Sequence, residues 1–168
     1  AIVLDVGTTN IKVAVYTSGL KTIFEASKAT DTLSPQLGWE EQDADKILSI
    51  SQDLLEQASR YVGDEVKLGI TNQRESVVAW DCAAGQPLSQ LILWSDKRTK
   101  SYCDAIRTPE LESAMRSKTG LFLTPYSSAP KIHWLMQQAA ISDCENLAIG
   151  TLDSWLAYKL TGNFVTDY

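Results

Sequence analysis

The chain opens Ala1-Ile2-Val3-Leu4-Asp5-Val6-Gly7-Thr8-Thr9-Asn10-Ile11-Lys12-Val13-Ala14-Val15-Tyr16, and this stretch decides the fold class. Ile2, Val3 and Leu4 form an unbroken apolar run, the mark of a strand covered on both faces. Ile11, Val13 and Val15 alternate with Lys12, Ala14 and Tyr16, which is the period of a second strand. Gly7 to Asn10 carry turn chemistry between them. The pair is therefore expected to be a hairpin seated centrally in a mixed sheet.

Working outward, residues 22–30 read as a third strand, and Ser34-Pro35-Gln36-Leu37-Gly38-Trp39 as a loop. Asp43 is a fair N-cap for a helix over residues 43–61, packed on the hairpin through Ile47, Ile50, Leu54, Ala58 and Tyr61. Strands are expected over 66–71 and 76–81, interrupted by Asn72-Gln73-Arg74-Glu75, and again over 91–94. Helices are expected over 97–108 and 109–118, stopped by Gly120. Pro130 suits the first turn of another, with Ile132, Leu135, Met136 and Ala139 facing inward. A short strand over 146–149 precedes a helix over 151–160 closed by Gly162. The order predicts an α/β domain with an antiparallel portion at its amino end.

The chain has 168 residues, 44% hydrophobic and 21% charged, which excludes a disordered tail. A domain of this length buries roughly 70% of the surface its unfolded chain exposes, so it needs no staples. Its net charge of −6 argues against nucleic acid or an anionic membrane as a main partner. Cys82, Cys103 and Cys144 lie far apart with no CxxC pair, so a cytoplasmic, reducing setting is expected, and the single His133 argues against a His-based metal or protease site. No apolar run reaches ten residues and no basic leader precedes the first strand, so no membrane insertion is expected. The absence of an initiator Met and the abrupt close at Asp167-Tyr168 suggest a segment of a longer protein.

Three stretches could carry chemistry. In Asp5-Val6-Gly7-Thr8-Thr9-Asn10 an acid ends a buried strand before a turn of glycine and hydroxyls. Turn amides and Thr hydroxyls can cradle phosphate oxygens, and the acid can hold a hydrated Mg²⁺. An ordinary hairpin turn explains the same residues. In Asn72-Gln73-Arg74-Glu75, Arg74 is a fork of donors and Glu75 an acceptor, the pattern that grips adjacent hydroxyls of a polyol, or equally a surface ion pair. Trp94 at a strand end could lay its face on the carbon edge of a carbohydrate or join the core, and the Tyr126 hydroxyl could reach a ligand or cap a turn. The acidic run Glu40-Glu41-Gln42-Asp43 reads as a solvated helix start, and His133 as a lone helix residue.

Taken in order, Asp5-Val6-Gly7-Thr8-Thr9, Gly38-Trp39-Glu40-Glu41 and Gly69-Ile70-Thr71-Asn72-Gln73-Arg74-Glu75 resemble the FGGY family of carbohydrate kinases, most of all its glycerol kinase branch. Trp94-Ser95-Asp96-Lys97-Arg98-Thr99, Thr119-Gly120-Leu121, Pro125-Tyr126 and Gly150-Thr151-Leu152-Asp153-Ser154-Trp155-Leu156 continue the likeness. It implies a ribonuclease-H-like mixed sheet with flanking helices. Residues 1–168 would be most of the amino-terminal lobe of a two-lobed kinase in the actin and hexokinase superfamily.

The resemblance further implies ATP and Mg²⁺ as cofactors and a small polyol or sugar as substrate, most simply glycerol. A homo-oligomer is compatible with it. It places Asp5 on the metal and phosphate side, and Thr8, Thr9, Asn10 and Lys12 at the nucleotide, Lys12 standing where an Arg is expected. Arg74, Glu75, Trp94 and Tyr126 would hold the polyol. No catalytic residue is expected in the segment; the general-base Asp would follow it, and the segment alone would be inactive. Ser95-Asp96 and Ser128-Ala129-Pro130 are closer to pentulose or gluconate kinase branches, which keeps a ketopentose or sugar acid open. A non-kinase nucleotide switch of the actin-like superfold and a catalytically silent binding or assembly protein are the remaining alternatives.

Overall fold

The computed structural model describes residues 1–166; the last two residues of the 1–168 unit lie outside the description. Strands β1 (Ile2–Val6) and β2 (Asn10–Tyr16) form the expected hairpin, in register with Ile2 opposite Val15 and Asp5 opposite Lys12. The turn closes through Gly7 N–H donating to the Asn10 carbonyl at 3.0 Å. A Cβ on Gly7 would stand 3.1 Å from that carbonyl oxygen, so the turn is tight enough to favour glycine.

Strand β3 (Thr22–Ala29) adds antiparallel to β2, and β5 (Leu68–Asn72) adds parallel to β1. The four-stranded order β3-β2-β1-β5 leaves the hairpin central, as the run Ile2-Val3-Leu4 predicts. Helix α1 (Ala44–Ser59) lies against this sheet, its first turn capped by the Asp43 carboxylate accepting from Lys46 N–H at 2.9 Å. Its buried residues are Ala44, Ile47, Leu48, Ser51, Leu54 and Ala58. Ile50 and Tyr61 are not among them. The helix ends at Ser59, and Tyr61 stays half exposed, stacked on Phe24 at 4.4 Å.

The later strands build a second sheet, which the sequence reading did not separate from the first. Short β4 (Glu41–Gln42), β6 (Val77–Asp81), β7 (Gln86–Pro87), β8 (Leu91–Ile92) and β9 (Leu147–Thr151) all pair antiparallel around β6. The antiparallel portion is thus not confined to the amino end; β1 with β5 is the one parallel pair among the described residues.

Helices α2 (Lys100–Ile106), α3 (Pro109–Thr119), α4 (Ser128–Met136) and α5 (Ala139–Ser142) follow, and α6 (Leu152–Thr161) ends at left-handed Gly162. The buried residues of α4 are Pro130, Lys131 and Leu135; of the expected set Leu135 is buried and Ile132 packs partly against the smaller core, while Met136 and Ala139 do not turn inward. Met136 is 42% exposed and Ala139 belongs to α5, because the chain leaves α4 at Gln137. Gly150 lets α6 start against β6: a Cβ there would stand 2.9 Å from Ser154 Cβ and 3.1 Å from Trp80.

The main core joins hairpin, α1 and α6 through Leu4, Val13, Ile47, Leu54, Trp80 and Trp155. A smaller core of Val77, Ala79, Ile92, Leu135 and Ile141 lies under α4 and α5. Each large aliphatic side chain buried this way contributes about 1.5–3 kcal/mol.

Candidate active site

The parallel pairing of β1 and β5 places the ends of both strands side by side. Asp5 lies opposite Thr71, Val6 opposite Asn72, and Gln73 N–H donates to the Val6 carbonyl at 2.9 Å. Two stretches about 65 residues apart in sequence, as Thr8 and Gln73 are, so meet at one edge. The chain then crosses into the second sheet, whose β8 brings back Trp94, and the loop between α3 and α4 brings in Tyr126. A cleft of about 330 Å³ results, lined by Asp5, Gly7, Thr8, Asn72, Gln73, Arg74, Trp94 and Tyr126. Ligands commonly enter a sheet at such strand ends.

Of the nine residues singled out from sequence, the cleft gathers Asp5, Thr8, Arg74, Trp94 and Tyr126. Thr9 and Asn10 are exposed and lie off the described lining. Lys12, expected at phosphates, instead pairs with Glu25 at 2.9 Å, and that carboxylate holds its ammonium above the ordinary range. Sheet register is the reason: Ala14, two residues along β2 from Lys12, sits opposite Glu25 on β3.

Glu75 also departs from a free acceptor. Its backbone is left-handed (φ 63°), and Oε2 accepts from Ser128 N–H at 2.6 Å and from the Ser128 hydroxyl at 2.7 Å. It thus caps α4 from a distant turn, while no ion pair joins it to Arg74 among the described residues. The surface ion pair weighed for this turn is absent there.

Several residues of the site were missed from sequence. Trp94 lies just beyond β8 and is 40% exposed. Its Nε1–H donates to Thr8 Oγ1 at 3.0 Å, and the Thr8 hydroxyl donates to Gln73 Oε1 at 3.2 Å. Ser76 donates to the same Gln73 oxygen at 3.1 Å and accepts from Trp94 N–H at 3.1 Å. Gln73 Nε2 donates to Gln42 Oε1 at 2.8 Å, and Gln42 Nε2 donates to the Thr8 carbonyl at 2.7 Å. Gln42 is 1% and Gln73 8% exposed, so their amides depend on these bonds more than on water. The network fixes the Thr8 turn and Trp94 relative to one another.

The run Glu40-Glu41-Gln42-Asp43 is therefore only partly a solvated helix start: Asp43 caps α1, while Gln42 is buried and Glu40 and Glu41 are half-buried and engaged. Glu41 accepts from Arg98 at 2.6 Å and the Ser95 hydroxyl donates to Glu40. Arg98, 2% exposed in its side chain, also grips Asp96 through Nε at 3.0 Å and Nη2 at 2.8 Å. Its guanidinium lies 3.8 Å from the Trp39 ring and 4.7 Å from Trp134. A composition-based reading of charge runs gives no sign that these acids fold inward; their partner stands about 57 residues away, as Glu41 does from Arg98.

Residues 1–168 match the profile described as FGGY family of carbohydrate kinases, N-terminal domain. The chain belongs to the FGGY family of carbohydrate kinases. It is 37% identical to a glycerol kinase of Allorhizobium ampelinum over 174 residues, covering 98% of this chain and 35% of that protein. Among solved structures it superposes on Plasmodium falciparum glycerol kinase with ADP (TM-score 0.87, 28% identity), covering 96% of this chain and 34% of that one. It also superposes on xylulose kinase from Rhodospirillum rubrum (TM-score 0.86, 24% identity), covering 99% of this chain and 35% of that one. The latter likeness speaks for the fold alone. The chain thus spans about a third of the length of these relatives. The FGGY kinase fold is the expected one: a first-domain α/β segment of the actin and hexokinase-like class. No helix among the described residues is long and apolar enough to cross a membrane.

Proposed function

We propose that the full-length protein transfers the γ-phosphoryl group of ATP to a primary hydroxyl of a small polyol, with glycerol the first candidate. Residues 1–168 would be its amino-terminal domain. The observation that carries this reading is the single cleft shared by Asp5, Thr8, Arg74, Trp94 and Tyr126. A carboxylate and a hydroxyl-lined turn stand beside a guanidinium and two aromatic rings 6.0 Å apart in an edge-to-face pair. Charge for phosphates and a flat wall for carbon thus face one space.

In this reading Arg74 donates to polyol oxygens, and Glu75 offers its second carboxylate oxygen while the first holds Ser128. Trp94 and Tyr126 cover the carbon edge. Thr8, Thr9 and Asn10 contact the phosphates, and Lys12 joins them only by leaving Glu25. Asp5 is an exposed lone carboxylate on the cleft. That suits Mg²⁺, which keeps several waters and takes one or two carboxylates plus phosphate oxygens. The bound metal would neutralise phosphate charge, and Asp5 would orient it. The hydroxyl proton goes to an aspartate outside this chain. The free thiols Cys82, Cys103 and Cys144 suit a reducing cytoplasm.

A longer substrate, a ketopentose or sugar acid, is favoured by one observation. Beyond the Trp94–Tyr126 pair lies a second space of about 530 Å³, lined in part by Lys97, by Lys100 paired with Asp104, and by Arg107 paired with Glu112.

The deciding experiment titrates glycerol, xylulose and gluconate against Mg·ATP in the wild type, Arg74→Ala and Asp5→Ala. Arg74→Ala should lower kcat/KM for the polyol about ten- to hundredfold, the worth of a hydrogen bond to a charged group, with ATP affinity unchanged. Asp5→Ala should do the reverse, impairing Mg·ATP use and sparing polyol binding. Intact polyol use in Arg74→Ala refutes the assignment, and the isolated 168-residue chain should show no turnover.

A further inference from the structure

Lys131 is 0% exposed, among the largest side chains that the fold buries completely. A buried ammonium is costly unless its donors are met. Lys131 Nζ donates to the Tyr126 carbonyl at 2.6 Å and to the Ser127 carbonyl at 3.2 Å. These two peptides belong to the loop that leads into α4. Burial pushes the Lys131 pKa down to about 8, while the charges of Glu75 and Asp96 pull it back up.

The loop is held from its other side as well. Ser127, the N-cap of α4, makes no capping side-chain bond; Glu75 supplies the anionic acceptor instead, at Ser128 N–H and hydroxyl. The segment carrying Tyr126 is thus clamped between a carboxylate that takes its N–H and an ammonium that feeds its carbonyls. Tyr126 itself is 45% exposed and meets Trp94 edge to face on the cleft. Besides this clamp, the loop is held by the Tyr126 and Ser127 N–H bonds to Thr124 and, further back, by Arg107 donating to the Leu123 carbonyl at 2.8 Å; among the described residues only the clamp brings a side chain of α4 to the Tyr126 and Ser127 carbonyls.

We propose that Lys131 is a positioning residue for the polyol: by holding the carbonyls of Tyr126 and Ser127 it fixes the Tyr126 ring against Trp94 and so sets the wall on which the substrate's carbon edge lies. The inference rests on the polyol kinase reading above. It predicts a role in substrate placement for a side chain that itself never reaches the cleft.

The test uses the full-length protein and whichever of glycerol, xylulose and gluconate the wild type phosphorylates. Lys131→Met keeps length and apolar volume but removes the donors. It should raise KM for the polyol about tenfold, leaving kcat and KM for Mg·ATP within about threefold. In a Tyr126→Ala background the same substitution should add less than about threefold, because the wall it serves is gone. A merely structural lysine would move both KM values together and cost the same in both backgrounds.

An unchanged polyol KM, equal rises for both substrates, or a full tenfold rise on top of Tyr126→Ala would each overturn the inference. Should Lys131→Met not fold, Lys131→Gln, which keeps one shorter donor group, is read by the same outcomes. A wild type that phosphorylates none of the three removes the kinase reading, and this inference with it.

Discussion

The two rims of the cleft use charge in opposite ways. On the rim formed by the ends of β1 and β5, Asp5 and Arg74 are exposed, and neither enters an ion pair among the described residues. On the opposite rim Asp96, Arg98 and Lys131 are buried and every one is engaged, Arg98 with two carboxylates and two indoles, Lys131 with two carbonyls. A solvated charge costs little to keep and stays available for an incoming molecule. A desolvated one must be met inside the fold, and once met it stiffens what it touches. One rim therefore keeps unpaired, solvated charge and the other is fixed by its buried charge.

The comparison can be broken by substitution, and the largest effect belongs to the rim with buried charge. Arg98→Met leaves Asp96 buried without its cation and should lower stability by about 3–5 kcal/mol in urea titration. A loss below about 1 kcal/mol would mean that this rim does not depend on its buried pair.

Next comes the pH dependence of Lys131. Its folded pKa falls from 10.5 to about 8, so the unfolded chain holds that proton over a range where the folded chain has released it. The penalty is full below pH 8 and gone above pH 10.5, so stability should rise with pH across that window. Relative to Lys131→Met, the wild type should gain about 3 kcal/mol there. A flat difference would show that Lys131 is not desolvated.

Trp94→Phe tests the link between rims. It keeps a ring but deletes the indole donor to Thr8, and should cost about 1 kcal/mol, or about fivefold in polyol KM. The smallest stability change is expected at the solvated rim. Arg74→Ala should stay within about 0.5 kcal/mol of wild type in the same urea titration, whatever it does to substrate use.

How far these features were readable depends on the range of the interactions behind them. The hairpin, α1 with its Asp43 cap, and the stops at Gly120 and Gly162 follow from period and turn chemistry within a few residues. Helix α4 shows where such a reading fails. Periodicity put Met136 and Ala139 inward, yet the fold turned the helix to bury Lys131, a residue no hydrophobic pattern selects. The acids before Asp43 misled for the same reason, since their partners Ser95 and Arg98 are distant in sequence.

The amino-acid order by itself determined the α/β class, the central hairpin and the residues of the family resemblance, because backbone sterics, apolar period and glycine turns act locally. Only the tertiary structure decided which of the marked residues share a cleft. The parallel pairing of β1 with β5 set Asp5 and Thr8 beside Arg74, β8 of the second sheet returned Trp94, and the loop before α4 returned Tyr126. It also withdrew Lys12 to Glu25 and bound one oxygen of Glu75 to Ser128. A charged side chain takes the partner that desolvation and register bring within reach, and that partner is fixed only when the chain is packed.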